Sequence, residues 1–254
     1  MVLEASPAFC YICGMIKLYL LRHSQTSYNV KAEVIGGRSP GLTLTRLGTE
    51  LATTAGKELR NSGLRFDRIF CSTAVRARQT LECMGLISVE ETDAVVYSDC
   101  LEELSQGEWE GRPRREIYTP KVISCLNREN PFFRPPGGES QNDVEKRMTD
   151  FIKGEILDRY KDGVFLIVGH GVAFKCFIRG VLGSDARMTH KLGMDNLSMT
   201  RLTYSDRDGW SLDWMNRPLI PTKAPNLGTK KSESADSSGA PRPTPLPWKG
   251  PGDG

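Results

Sequence analysis

Two kinds of pattern alternate along the chain: short runs that are apolar throughout, and longer stretches in which apolar residues recur every three or four positions. Leu18-Tyr19-Leu20-Leu21 is the first continuous run. Such a run reads as a strand covered on both faces, because a strand with one wet face alternates apolar with polar residues. Residues 66–71 and 95–97 repeat the pattern briefly, and Val164-Phe165-Leu166-Ile167-Val168 repeats it most strongly. Between these runs the period lengthens. Thr45 can cap a helix with apolar positions Leu47, Leu51, Ala55 and Leu59, which Asn61, Ser62 and Gly63 stop. Residues 72–84 read as helical. Ser140, with Asp143 where a capping-box acid stands, opens a helix striped by Val144, Met148, Phe151, Ile152, Ile156 and Tyr160 that ends near Asp162-Gly163. An apolar helix follows from Val172 to about Leu182. Residues 200–204 and 210–214, joined through Asp208-Gly209, read as a hairpin extending one edge of the sheet.

Strands alternating with helices predict an α/β three-layer sandwich, a mainly parallel sheet with helices on both faces. Gly36, Gly37, Pro40 and Gly41 mark a loop, residues 101–111 are acidic and glycine-broken, and residues 127–138 form a second long loop. Residues 1–15 read as an N-terminal extension and 16–215 as one domain. Residues 216–254 hold eight of the fifteen prolines, with many serines and lysines, and read as a disordered tail unable to bury enough surface to order itself.

Composition narrows the classes. A chain of 254 residues builds a sizeable core, and a net charge of +3 is too small to argue for nucleic acid. No apolar run approaches the roughly 20 residues that span a bilayer. The first residues lack a basic n-region and a small-residue cleavage site, so a secretory signal is not expected. Seven cysteines is an odd number, and five of them lie in or beside predicted elements, as suits reduced thiols and a cytoplasmic location. Cys10 and Cys13 form a lone Cys-x-x-Cys with no second pair at zinc spacing, so no metal site is expected.

The strands end in polar residues. Strands running the same way gather their carboxyl ends at one edge, where ligands bind in open α/β sheets. There the pattern would collect Arg22, His23, Arg76 and His170. Two guanidiniums match phosphoryl oxygens as forked, permanently charged donors. An imidazole titrating near neutrality can be an uncharged nucleophile, and a second one can donate to phosphoryl oxygens as charge shifts. The leaving oxygen needs a proton, and Glu102, Glu103, Glu108 and Glu110 all lie in a loop able to reach that edge. Spacing does not choose among them. Each residue also has a plain reading taken alone: His170 as a capped core histidine, Arg76 as a surface helix arginine, and Arg22-His23 as polar residues after a strand. His190 lies in a polar stretch and is expected to be exposed.

Five blocks occur in order: Leu21-Arg22-His23-x-x-Thr26-x-x-Asn29, Ser72-x-x-x-Arg76-Ala-x-Gln79-Thr80, Leu101-x-Glu103-x-x-x-Gly107-x-Trp109-Glu110-Gly111, Pro136-Gly-Gly-Glu-Ser140 and Gly169-His170-Gly171. Over about residues 17–214 this arrangement resembles the histidine phosphatase superfamily, in its phosphoglycerate-mutase-like branch. The resemblance implies that fold and a catalytic set of His23, Glu103, His170, Arg22 and Arg76. In it His23 is transiently phosphorylated; Arg22, Arg76 and His170 hold the phosphoryl group; and Glu103 gives and then takes a proton. Asn29 would be a further phosphate contact, and Thr43 a substrate contact by position. The chain departs from the family pattern in reading Ser24-Gln25 where the family reads Gly-Glu, and in lacking an acid before Pro40. The third and fourth blocks are more similar to phosphatase members than to true mutases. The activity implied is hydrolysis, without metal or other cofactor, of a small phosphorylated metabolite such as a sugar phosphate, bisphosphate or phosphoglycerate. The alternatives are mutase activity, or a catalytically weak module that binds a phosphorylated ligand or protein. Neither nucleic acid nor membrane is an expected partner, a homo-oligomer is allowed, and the tail's partner is left open.

Overall fold

Leu18 and Leu20 face one side of β1 (Ile16–Arg22), Tyr19 and Leu21 the other, and all four are buried. The computed structural model describes residues 14–31, 33–86 and 95–220. Its sheet has six strands in the order β3-β2-β4-β1-β5-β6, where β2 is Arg68–Ser72, β3 Val95–Ser98, β4 Gly163–Gly169, β5 Ser198–Ser205 and β6 Gly209–Pro218. The first four strands run parallel, and β5 and β6 add the antiparallel edge hairpin. Leu18 and Leu20 pack with Phe165, Ile167 and the helices α6 (Gln141–Ile152) and α7 (Gly171–Val181) through Val144, Met148, Phe174 and Phe177. Tyr19 and Leu21 pack with Leu166, Val168 and the helices α2 (Arg46–Asn61) and α3 (Val75–Met84) through Ala55, Leu59 and Leu81. Each such side chain contributes about 1.5–3 kcal/mol when fully buried, so both faces are anchored.

Thr45 caps α2 as expected, its side chain accepting from the Gly48 N–H, and Ser140 and Asp143 close a capping box on α6. The buried face of α2 is rotated from the spacing prediction: Gly48, Ala52, Ala55, Gly56 and Leu59 are buried, while Leu47 and Leu51 are half-buried. Backbone approach is the cause. A Cβ at Gly56 would lie 2.0 Å from the Met84 carbonyl oxygen, and one at Gly48 2.2 Å from that of Gln25, so only glycine fits. The helix starting at Ser140 also ends sooner than its stripe suggests, α6 stopping at Ile152 and a π turn (Lys153–Leu157) carrying the chain on.

The sequence pattern left residues 112–126 unassigned. They hold the four-residue helix α4 (Arg114–Ile117) and most of α5 (Pro120–Glu129), which Thr119 caps; α1 (Ser27–Val30) is a single turn after β1. The predicted loop at 127–138 therefore starts three residues late, residues 127–129 being the last of α5. Ile35, Trp109 and Ile117 form a small third core beneath these loops, with Tyr118, Val122 and Phe133 against it. At the other end β6 runs past the expected domain limit at 215, pairing Arg217 with Met199 and Pro218 with Ser198. The N-terminal extension up to residue 13, Cys10 and Cys13 included, and the tail from 221 lie outside the described residues. Among the described residues no helix is long and apolar enough to cross a membrane.

Candidate active site

Sheet register does most of the assembly. Arg22 pairs with Gly169 and Cys71 with Val168, so His23, Ser72 and His170 leave their strands at the same level. The His23 N–H donates to the Gly169 carbonyl at 2.9 Å, and the two imidazole rings lie 5.2 Å apart. Arg76 comes from the first turn of α3, directly after β2. A cavity of about 340 Å³ opens at this edge and is lined by Arg22, His23, Asn29, Arg76 and Glu103 among others.

His23 is buried, and its Nδ1 lies 2.7 Å from the Ser24 carbonyl oxygen. A carbonyl only accepts, so Nδ1 carries the proton and Nε2 keeps its lone pair. Burial first, then the charges of Arg76 and Arg22, push the imidazole well below its ordinary pKa, against the Ser24 carbonyl. The ring is thus held in its uncharged form, with the Nε2 lone pair available. Asn196, which the sequence reading missed, donates from Nδ2 to the His23 carbonyl at 2.8 Å and holds this turn from across the site. Nothing in the local sequence around Asn196 marks it, since its partner is 173 residues away.

Ser24 and Gln25, the departure from the family pattern, tie this loop to α2 and α3. The Ser24 hydroxyl donates to the Gly48 carbonyl at 2.6 Å, its N–H donates to the Thr80 hydroxyl at 2.9 Å, and the Gln25 side-chain oxygen accepts from the Thr45 hydroxyl at 2.9 Å. Asn29 accepts at Oδ1 from the Thr26 N–H and hydroxyl, both at 2.9 Å, which leaves its amide N–H groups for a ligand.

The two arginines are set differently. Arg22 donates from Nη1 to the Met194 carbonyl at 2.6 Å, while its Nε is buried without a partner. Gly171 makes room for it, because a Cβ there would come within 3.3 Å of Nε. Burial lowers this guanidinium from its ordinary pKa, opposed by Glu103 and Asp195. Arg76, 3% exposed, donates to the Gly37, Arg38 and Ser39 carbonyls at 3.1, 2.7 and 3.1 Å. Two of its N–H groups remain for an anion. Burial lowers it too, opposed first by Glu103.

Tertiary structure separates the four glutamates. Glu103 lines the cavity, its Oε1 accepting from the Leu104 and Ala173 N–H groups, both at 2.9 Å, and its Oε2 from the Val172 N–H at 3.1 Å. It is therefore clamped at the N-terminus of α7, with a lone pair of Oε2 still open. Glu110 instead staples the loop that Arg76 touches, accepting from the Arg38, Ser39 and Gln106 N–H groups, and so holds Ser39 at a φ of 31°. Glu102 pairs with Arg38 at 3.2 Å, and Glu108 is exposed. Glu139, in the fourth block, pairs with Arg38 and Arg147; burial opposes its ionisation, but those cations and the Ser105 N–H outweigh burial and hold its pKa below the ordinary value.

His170 has no exposed surface and sits behind His23 rather than lining the cavity. Its Nε2 is 2.8 Å from the Ser72 hydroxyl, while its Nδ1 is buried without a partner. Ser72 Oγ also accepts from the Ala74 N–H at 3.3 Å, so this hydroxyl links the start of α3 to the imidazole. Burial first, then Arg76, His23 and Arg22, lower this ring well below its ordinary pKa. Thr43 is exposed and does not line the cavity, whereas its neighbour Leu42 does. Gln79 holds the loop just beyond, its Oε1 accepting from the Leu44 N–H at 2.9 Å. His190 is exposed as expected, yet stands at the cavity's mouth. Among the described residues no group of three or more His, Cys, Asp or Glu side chains is placed to hold a metal ion.

Known proteins resemble this chain over most of its described length. The family model of the histidine phosphatase superfamily (branch 1) matches residues 18–218. A broad-specificity phosphatase of Saccharomyces cerevisiae is 30% identical over 193 residues, 75% of this chain and 80% of that protein. A phosphoglycerate mutase dependent on 2,3-bisphosphoglycerate, from a Chelativorans strain, is 34% identical over 162 residues, 61% of this chain and 75% of that protein. Among solved structures, a mycobacterial glucosyl-3-phosphoglycerate phosphatase superposes with a TM-score of 0.67 at 27% identity, over 80% of this chain and 99% of that one.

Proposed function

This chain belongs to the histidine phosphatase superfamily (branch 1), and we propose that it is a phosphatase that hydrolyses small phosphomonoesters through a phosphohistidine on His23, without a metal ion. The observation that carries the reading is the state of His23: Nδ1 donates to the Ser24 carbonyl, Nε2 is free, and two guanidiniums and a clamped carboxylate share its cavity. In the first step Glu103 enters as the carboxylic acid; the Nε2 lone pair attacks phosphorus, the P–O ester bond breaks, and the leaving oxygen takes the bond's electron pair and the Glu103 proton, leaving the carboxylate. In the second step a water oxygen attacks phosphorus and gives its proton to Glu103. The P–N bond then breaks and its pair returns to Nε2. Arg22, Arg76 and the Asn29 amide hold the phosphoryl oxygens, supplying charge that a metal supplies in other phosphoryl transfers.

The bonds of Ser24 and Gln25 to α2 weigh against a merely binding module, since they keep the nucleophile's loop as firmly seated as catalysis requires. Rapid acid-free quenching after mixing with labelled ester tests the reading. An alkali-stable, acid-labile phosphoenzyme is expected in the native protein and not in His23→Ala, and undiminished turnover by that variant would overturn it.

A further inference from the structure

The catalytic cavity does not end at Glu103. A second cavity, also of about 340 Å³, shares Leu104, Gln106, Arg114, Tyr118, Val172 and His190 with the first, so the two adjoin along these side chains. Its inner wall is formed by Ile123 and Leu126 of α5, with Phe133 and Pro131 from the loop that follows. No residue of α5 is fully buried: Val122 packs on the small third core, while Ile123 and Leu126 face this annex. The helix therefore turns apolar side chains toward a space that the described residues leave unfilled.

The reaction's geometry aims the substrate there. In-line displacement puts the leaving oxygen opposite His23, on the side of its proton donor. Glu103 is held by the N–H groups of Leu104 and Val172, whose side chains are where the two cavities meet. An alcohol leaving beside Glu103 thus continues past Leu104 and Val172 into the annex.

The annex is poor in usable charge. Glu139 is committed to Arg38 and Arg147. His190 Nε2 lies 3.1 Å from Gln141 Nε2, and the Gln141 amide is oriented by its oxygen accepting from Arg179, so the imidazole accepts there and is neutral. Arg114 remains, its guanidinium stacked 5.7 Å above the Tyr118 ring. A second phosphate would find one exposed cation, whereas an apolar group would find walls of aliphatic and aromatic carbon. Asn130 Oδ1, buried without a partner on the same lining, offers a single acceptor.

We propose that the annex is the subsite for the leaving alcohol and selects phosphomonoesters whose alcohol is uncharged and apolar, aromatic in preference, over bisphosphates and phosphocarboxylates. This rests on the phosphatase reading and refines it. The test compares kcat/KM for phenylpropyl phosphate with propyl phosphate, whose alcohols have matched acidity, and with phosphoglycerate and fructose bisphosphate. Phenylpropyl phosphate should lead each by about tenfold or more, and Ile123→Gln and Leu126→Gln should each cut the phenylpropyl-to-propyl ratio about fivefold or more. Turnover of propyl phosphate in the same preparation reports that a variant is folded. Preference for either anionic ester, or an unchanged ratio in both variants, would overturn the subsite while leaving the phosphatase standing. No turnover of any ester would instead overturn the phosphatase reading, and the subsite with it.

Discussion

Glu103→Gln separates proton transfer from mere positioning. In the native protein Oε1 takes the Leu104 and Ala173 N–H groups and Oε2 takes that of Val172. A glutamine oxygen can keep the first two bonds, but its NH2 then meets the Val172 N–H donor to donor at the old 3.1 Å position. One helix N-terminal N–H is left unpaired, costing about 1–3 kcal/mol, and the loss of the carboxylate's charge at the helix end adds about 0.3–1 kcal/mol. At roughly 2–4 °C per kcal/mol for a domain of this size, the melting temperature should fall by about 3–15 °C, and the fold should survive. The chemical effect is larger and selective. General-acid catalysis contributes about a hundred- to ten-thousand-fold, and only where the leaving oxygen needs the proton. Rapid-quench measurement of His23 phosphorylation should therefore show a drop of that order with an alkyl phosphate. With nitrophenyl phosphate, whose phenolate leaves unaided, the drop should be small, and phosphoenzyme should accumulate because its hydrolysis needs the same residue as base. An equal fall in the phosphorylation rate for both esters would refute Glu103 as the proton donor.

Arg76→Ala removes a charge-assisted phosphate contact worth about 1.5–3 kcal/mol, so inorganic phosphate should inhibit about 10- to 150-fold more weakly; a change below about twofold would count against the assignment. Because burial and the two arginines depress the His23 pKa, the acid limb of kcat/KM should lie below about pH 6.5, and a limb above that value would mean the ring is not held neutral. The same depression in His23 and His170 links pH to stability. Below about pH 6.5 the unfolded imidazoles bind protons that the folded ones do not, so the urea midpoint should fall between pH 6.5 and 5, and a rising midpoint would contradict the burial. Gly107→Ala places a Cβ 2.1 Å from the Pro136 carbonyl oxygen at a φ of 53°, which should cost about 2–4 kcal/mol in denaturant unfolding; a loss under about 0.5 kcal/mol would show that the loop yields.

The strands with continuous apolar runs and the capped helices α2 and α6 were legible because local spacing and a polar cap are properties of adjacent residues. So was the gathering of Arg22, His23, Arg76 and His170, since parallel strands can only bring their carboxyl ends to one edge. The helix α5 lies between two breaker-rich loops and was passed over, although Thr119 caps it and Val122, Ile123 and Leu126 have helical spacing. The choice of Glu103 over Glu110 also lay beyond spacing, because it depends on which carboxylate meets the N-terminus of α7, some 70 residues away in the chain. Arg76's grip on the loop at 37–39, Asn196's hold on the His23 turn and the tautomer of His23 were decided in the same way. A sequence records which donors and acceptors exist; which of them meet, and which side chains lose their water, is set only when distant segments pack together.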